Sequence, residues 1–425
     1  MVRTKHSVGA VQDDAANNSA PLFQILNPLL EGVKVDYSSL VDRVGGESVD
    51  VWAIHYEARK RQHNGEDIII LSVGEESDQN TPLPVQQTAI NSISSGRHHY
   101  TSVLGDERLR DTIAKRHQDR TGQPVSADNV SVFSGAQNAL FATSLCLLEH
   151  GDEVIVPEPY YATYPASVRL GGADMVSLPT DVGSGFQISI EALEKALTAR
   201  TRAVLLNSPN NPTGAVYSRQ LLQSIVDLCR ARDIWLISDE VYAEIAPEDF
   251  VGIGSIDGAG DISITISSVS KSHRMTGWRC GWTIAPRPLN RHFYNLNMCM
   301  AYGLPPFTQD AAAYALESDT ETALLVRERL SRNRQIIADE MADMNTARLH
   351  TDGGGMFAVL DIRALDMSSS DFAWNLLATQ NVSVLPCDGF GPSGRGLLRI
   401  SLCLNEDTMR TAARRILAHV KQVLA

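Results

Sequence analysis

The 425-residue chain has no apolar run long enough to cross a membrane. Its longest, such as IIILSV and AVLLN, are strand-sized, far short of the ~20 residues a spanning helix needs. It has no excess of positive charge either. Lys and Arg number 37 against 50 Asp and Glu, a formal net charge of −13. That balance argues against a nucleic-acid binder, which needs a basic footprint. Cysteines are few and scattered, six in all (146, 229, 280, 299, 387, 403), with no C-x-x-C pair. In a chain of this length they read as reduced thiols of a cytoplasmic protein and not as a disulfide frame. The first residues show no apolar segment with a cleavage site, so no secretory signal is expected. Internal repeats, low-complexity tracts and coiled-coil heptads are missing too. What is present, 43% hydrophobic and 20% charged residues, is the composition of a globular protein. The length suggests two or three structural units.

Residues 1–47 are read as an N-terminal extension. Its start, MVRTKHSVGAVQDDAANNSAP, is polar and aperiodic and reads as a frayed lead-in. Residues 48–80 open with a helical pattern, SVDVWAIHYEARKRQHNG, that puts Val51, Ile54 and Ala58 on one face and stops at Gly65. From there β-rich runs (68–73, 130–133, 153–156, 203–207, 234–238, 263–267, 281–284) alternate with amphipathic stretches such as 138–149, 190–198 and 219–232. Strand, crossover, strand predicts an α/β fold, a mostly parallel sheet with helices on both faces, over residues 81–317. Beyond 317 a long charged helix precedes GGGMFAVLDI, another helix, VSVLP, LLRISLCL and a closing helix. This mixture predicts a smaller α+β domain over 318–425, to which 48–80 contributes.

The strongest local signal is 267–282, SSVSKSHRMTGWRCGW. A β-rich run ends in small hydroxyl residues, Lys271 follows, and Arg279 stands between Trp278 and Cys280. Alternating α/β folds place ligands beyond the carboxyl ends of their strands. A lysine there loses its charge by desolvation and can act as an amine nucleophile forming a Schiff base. Arg279 offers a planar fork suited to phosphate. As an isolated pair they would read as surface residues, but other polar loops also follow strands. Asp239, in SDEVY after the apolar IWLI, either caps a helix or pairs with a buried cation. Asn211 lies in NSPNNPTG, a turn-forming run. Ser134-Gly135-Ala136-Gln137 opens a helix whose first N–H groups can hold a phosphate. Four polar loops after four strands, in this order, point to one functional edge.

With SGAQNAL, PEPYYATYP, NSPNNPTG, SDEVY, SKSHRMTGWRCGW and LLRIS, the chain resembles the class I/II aminotransferases, pyridoxal-phosphate enzymes of fold type I, the aspartate-aminotransferase fold. The resemblance runs from about Trp52 to the C-terminus. Within that family, IHYEARKR, GEDIIILSVG, HHYTSVLGDERLR, NMCMAYGLPPFTQDAA and VSVLPCDGFGPSG are most similar to arginine–pyruvate transaminases.

The resemblance implies a role for each matching residue. Lys271 is expected to carry pyridoxal 5'-phosphate as a Schiff base and to move the proton between the substrate Cα and the cofactor. Asp239 is expected to pair with the ring nitrogen and keep it protonated. Asn211 and Tyr242 are expected to hydrogen-bond the phenolic oxygen, and Tyr161 to stack on the ring. The phosphate is expected on Gly135, Ala136 and Gln137 at the helix start, with Ser268 or Ser270, and on Arg279. Tyr100 matches a tyrosine that reaches the phosphate of the neighbouring subunit, which implies a homodimer with shared active sites. Arg399 matches the arginine that grips the substrate α-carboxylate, and Gly74 a glycine whose backbone approaches the same group.

One stretch departs from the family. Its usual Gly-Glu-Pro-Asp-Phe turn here reads Gly74-Glu75-Glu76-Ser77-Asp78-Gln79, without the proline and one residue longer. That turn borders the substrate side chain. The acids Asp50, Glu75, Glu76 and Asp78 either meet a cationic substrate or form a solvated face. The expectation adopted is an aminotransferase moving the amino group of arginine or another basic amino acid to a 2-oxo acid such as pyruvate, with Asp50 and Glu75 at the side chain. His55 and His273 stand either behind the site or in ordinary packing. The competing readings are an oxygen-using arginine oxidase or hydroxylase on the same fold, and an aspartate, aromatic or alanine aminotransferase. A non-catalytic pyridoxal-phosphate-binding regulator is disfavoured by the intact Lys271 and Asp239 and by a short, non-basic leader.

Overall fold

A computed structural model describes residues 38–44, 51–76, 80–318, 320–344 and 346–424. The readings made for 1–37, for Asp50 and for Ser77-Asp78-Gln79 lie outside the described residues. All but Ser38 of the described chain belongs to one compact body, Ser39–Ala425.

The strands in chain order are β1 (Ile69–Ile70), β2 (Val130–Phe133), β3 (Glu153–Glu158), β4 (Asp174–Pro179), β5 (Thr201–Asn207), β6 (Trp235–Asp239), β7 (Ser263–Ser268), β8 (Gly281–Ile284), β9 (Arg348–His350), β10 (Phe357–Asp361), β11 (Val382–Ser383), β12 (Leu385–Pro386) and β13 (Leu397–Ser401). Seven form the main sheet in the order β2-β8-β7-β6-β5-β3-β4. β8 runs antiparallel to both its neighbours and the other pairings are parallel. The α/β class expected from the alternating pattern is the class observed.

Side-chain alternation explains why these strands read as unbroken apolar runs. Val154, Val156, Leu205 and Ile237 point into a core shared with helices Ala136–Leu147 and Arg287–Met300. Ile155, Val204, Leu206 and Leu236 point the other way, into a core with helices Ile190–Ala196 and Arg219–Ala231. Helices therefore cover both faces, and loops at the strand ends are left to carry the chemistry.

β4 escaped the sequence reading because it is an edge strand whose Leu178 is its one fully buried side chain, so no apolar run marks it. The run 68–73 does not join the main sheet. Ile69 and Ile70 pair in parallel with Val382 and Ser383. Leu71 donates its N–H to Ser383 O (2.7 Å) and accepts from Ser401 N–H (2.9 Å). Its backbone groups are thus satisfied by the C-terminal part of the chain. There β12, β13, β10 and β9 form a four-stranded antiparallel sheet. The helical pattern before β1 holds as Ala53–His63, with Val51, Ile54 and Ala58 all buried.

Candidate active site

The carboxyl ends of three adjacent strands build the floor of a cavity of about 250 Å³. β5 ends at Asn207 and β6 at Asp239, paired with each other in register; β7 ends at Ser268. Asn207 staples the first two loops together. Its Nδ2 donates to Asp239 O (3.0 Å) and its Oδ1 accepts from Asn211 N–H (2.7 Å). The Asp239 carboxylate accepts Val241 N–H at 3.2 Å, a turn that takes the chain out of the strand. Its other oxygen accepts the Tyr164 hydroxyl at 2.6 Å. Asp239 therefore neither caps a helix nor forms an ion pair with any cation among the described residues. Burial pushes its pKa up to about 6 against the opposing pull of the Tyr164 and Val241 bonds. Asn211 Nδ2 donates to the Tyr242 hydroxyl at 3.4 Å, and burial raises the Tyr242 phenol so that it stays protonated.

Lys271 follows β7 and lines the cavity half-buried, its Nζ donating to Gly74 O at 2.9 Å. Desolvation lowers its pKa, which favours the neutral, nucleophilic amine. Ala136 and Gln137 start their helix at the cavity wall beside Ser268 and Ser270. Arg279, exposed and in the left-handed conformation (φ 53°), is aimed there by donating to Thr276 O (2.7 Å) and Ser134 O (3.4 Å). Gly135 makes room for it. It has φ +83°, and a Cβ there would lie 2.2 Å from Arg279 Nη2.

Arg399, central in the small sheet between Val359 and Leu385, is 1% exposed yet reaches the same cavity. It donates to Asn211 Oδ1 (2.9 Å) and Ser72 O (2.7 Å). Its Cζ lies 4.2 Å from the Phe357 ring centroid, 5.4 Å from that of Phe390 and 5.6 Å from that of Trp52. Among the described residues no carboxylate pairs with it and its Nε finds no acceptor. Burial without an anion lowers its pKa, which a bound carboxylate would restore. Gly74 is needed against Phe357, since a Cβ would come within 2.4 Å of that ring. Below Ser72, His55 Nδ1 meets Ser72 Oγ at 3.0 Å, and burial holds this imidazole neutral with a pKa of about 4.

The cavity brings together Gly74, Ala136, Gln137, Tyr161, Asn211, Asp239, Tyr242, Ser268, Ser270, Lys271, Arg279 and Arg399. Gly135 stands just behind its wall. Tyr100 does not line it; it is 87% exposed and rests on Tyr302, ring centroids 5.2 Å apart. Glu75 and Glu76 line a smaller cleft on the other side of Gly74 and Lys271. Glu75 accepts from Thr276 Oγ1 at 2.9 Å and lies 3.9 Å from Arg59. Glu76 is buried and ion-paired with Arg329. The two acids therefore do not form a freely solvated face. Sequence reading missed Trp52, Tyr164, Asn207, Thr276 and Phe357. Tyr164 follows Tyr161 by three residues and Asn207 ends its strand, so both had a positional cue; Trp52 and Phe357 had none.

These residues fit a phosphorylated aromatic aldehyde. A helix start with hydroxyls and an arginine suits the phosphate. A buried carboxylate without a cation suits a protonated ring nitrogen, and a desolvated lysine suits the aldehyde carbon. Such an arrangement defines a pyridoxal-phosphate site. The model of the family "Aminotransferase class I and II" matches residues 66–416, and the chain belongs to that family. It is a transaminase whose cofactor is pyridoxal phosphate. It is 44% identical over 381 residues to the arginine–pyruvate transaminase AruH of Pseudomonas aeruginosa, covering 89% of this chain and 97% of that protein. It is 33% identical over 353 residues to an aspartate aminotransferase of Thermotoga maritima, covering 83% and 91%. The Thermotoga maritima aspartate aminotransferase structure superposes with a TM-score of 0.85 at 30% identity, covering 91% of this chain and all of that one. The Thermus thermophilus aspartate aminotransferase with maleate gives 0.84 at 27% identity, covering 91% and 100%. Among the described residues no helix is long and apolar enough to cross a membrane.

Proposed function

We propose that this protein transfers the α-amino group of L-arginine, or of a close basic amino acid, to a 2-oxo acid such as pyruvate, acting in the cytoplasm as a homodimer with shared sites. The observation that carries the amino-acid part is Arg399, a buried guanidinium with no acidic partner among the described residues, in one cavity with Lys271 and Asp239. Pyridoxal phosphate supplies an electron sink for the Cα–H bond and a carbon that carries the amino group. Arg399 binds the substrate α-carboxylate through its planar fork. Lys271 holds the cofactor, then moves the proton at Cα. Asp239 holds the ring nitrogen, and Asn211 with Tyr242 orients the ring from the phenolic side. Tyr161 packs on its face. The body divides, in this reading, near residue 317 into a cofactor-binding part and a smaller part that supplies Arg399.

The choice of arginine rests on the similarity to the Pseudomonas arginine–pyruvate transaminase and on the Glu75–Glu76 turn beside Lys271. Among the described residues of that turn Glu75 is the more exposed carboxylate, accepting from Thr276 and standing 3.9 Å from Arg59, which a substrate guanidinium can replace. A charge-assisted contact there is worth roughly 1.5–3 kcal/mol, about tenfold to a hundredfold in selectivity. Single-turnover bleaching of the bound cofactor's visible band, with arginine, lysine, alanine, aspartate and phenylalanine, tests this. Arginine should rank first, Glu75→Gln should remove most of that lead, and turnover should require a 2-oxo acid. Arginine ranking below alanine or phenylalanine overturns the substrate; oxygen consumption without a 2-oxo acid overturns the reaction type.

A further inference from the structure

Tyr164 has no part in the roles assigned so far, yet it touches two residues that meet the cofactor. It opens helix Tyr164–Leu170, is 1% exposed, and packs in the core of Leu140, Val156 and Phe133. Its hydroxyl donates to Asp239 at 2.6 Å. Its ring meets Tyr161 edge-on, centroids 5.7 Å apart at 82°. Both Tyr161 and Tyr164 line the cavity.

We propose that Tyr164 is a positioning residue for the cofactor: its hydroxyl locks the Asp239 carboxylate in the ionised form and orientation that receive the ring nitrogen, and its ring buttresses Tyr161. Val241 N–H occupies one carboxylate oxygen and the Tyr164 hydroxyl the other. Each oxygen is thus held by one donor, which fixes the carboxylate's orientation, and Asp239 lines the cavity. Burial raises the Tyr164 phenol well above its usual value, so it stays protonated and donates, and its bond to the carboxylate favours the Asp239 anion. The other groups around Asp239 act differently. Glu240, next in the chain, disfavours the anion and is itself neutralised by Arg120 at 3.3 Å. Tyr161 and Tyr242 stay protonated, and Lys271, Arg279 and Arg399 lie elsewhere on the cavity wall. Among the described residues Tyr164 is thus the side chain whose hydrogen bond to the carboxylate is seen.

This inference rests on the assignment of Asp239 to the ring nitrogen, and the test separates the two. Cofactor dissociation constants are measured by equilibrium dialysis across pH for wild type, Asp239→Asn, Tyr164→Phe, Tyr164→Leu, and a chain with 3-fluorotyrosine at 164. Asp239→Asn binding as tightly as wild type sinks the Asp239 assignment. With that assignment standing, Tyr164→Phe should weaken binding about tenfold, the scale of one hydrogen bond to a charged group. The acid limb of binding should move up by about one pH unit, because a carboxylate that has lost an anion-stabilising donor protonates sooner. The more acidic fluorinated phenol should move that limb the opposite way. Tyr164→Leu, which also removes the support of Tyr161, should weaken binding further than Tyr164→Phe. A limb that stays in place in both Tyr164→Phe and the fluorinated protein, whatever the change in affinity, means Tyr164 is packing only and overturns the proposal.

Discussion

Arg279 and Arg399 line the same cavity but are held by unlike means. Arg279 is exposed, reaches the cavity from a loop eight residues past Lys271, and is steered by two backbone carbonyls and by the missing Cβ of Gly135. Arg399 is buried in the middle of a different sheet, ringed by Trp52, Phe357 and Phe390, and braced by Asn211 and Ser72. The first arrangement suits a group that stays bound, whose charge can be partly screened by solvent. The second keeps a guanidinium dry and without an acid among the described residues, so a carboxylate arriving there gains the full strength of a desolvated contact. In the proposed assignment Lys271 stands between these tasks, hydrogen-bonded to Gly74 next to the carboxylate end while following the strand that leads to the phosphate end.

The largest effect should come from removing that lysine. Lys271→Ala should abolish the borohydride-trappable cofactor peptide and lower turnover by at least ~10³-fold, the scale of a lost general acid–base group. A cofactor peptide still recovered from the variant would assign the linkage to another lysine and break the comparison at its centre.

A smaller, one-sided effect should follow Arg399→Lys. The lysine keeps a charge but loses the planar fork: with one of its three N–H groups on Asn211 Oδ1 and one on Ser72 O, at most one is left for the carboxylate in place of two parallel bonds. The efficiency kcat/KM for the amino donor should fall about tenfold to a hundredfold. Cofactor affinity should fall less, by no more than a few-fold, since the phosphate contacts share no partner with Arg399 and the two ends are linked only through Asn211. Equal losses in both measurements would show that the two ends are not separable.

The same contrast explains what could be read from the sequence. Asp239 ends a strand, and Asn211, Lys271 and the Gly135 turn each come within a few residues of one, so apolar run plus polar loop revealed them together with the parallel sheet that presents them. Tyr242 and Tyr161 came with their motifs. Arg399 was reached through the resemblance carried by LLRIS, because a central position in an antiparallel strand looks like core. Trp52 and Phe357, which cage it, sit in segments hundreds of residues apart with nothing local to mark them. Edge strand β4 was invisible for want of a buried run. Glu75 was read as an acid at the substrate side chain and Glu76 as either there or on a solvated face, but their bonds to Thr276 and Arg329 depend on segments distant in the chain.

The smallest effect tests whether the phosphate end is completed by a second copy. Tyr100 is 87% exposed and stands against Tyr302, away from its own chain's cavity. A large aromatic left so open gains little where it is, whereas a phenol delivered to a neighbouring phosphate gains one hydrogen bond to a charged group. Tyr100→Phe keeps the ring contact with Tyr302 and deletes that bond, so cofactor affinity should drop by ~1 kcal/mol, about fivefold. The deficit should appear at protein concentrations where wild type sediments as a dimer. On dilution, wild-type affinity should fall toward that of the variant as the phenol leaves with its subunit. An active monomer that holds the cofactor as tightly as the concentrated protein, with Tyr100→Phe indistinguishable from wild type, would place the whole phosphate site within one chain.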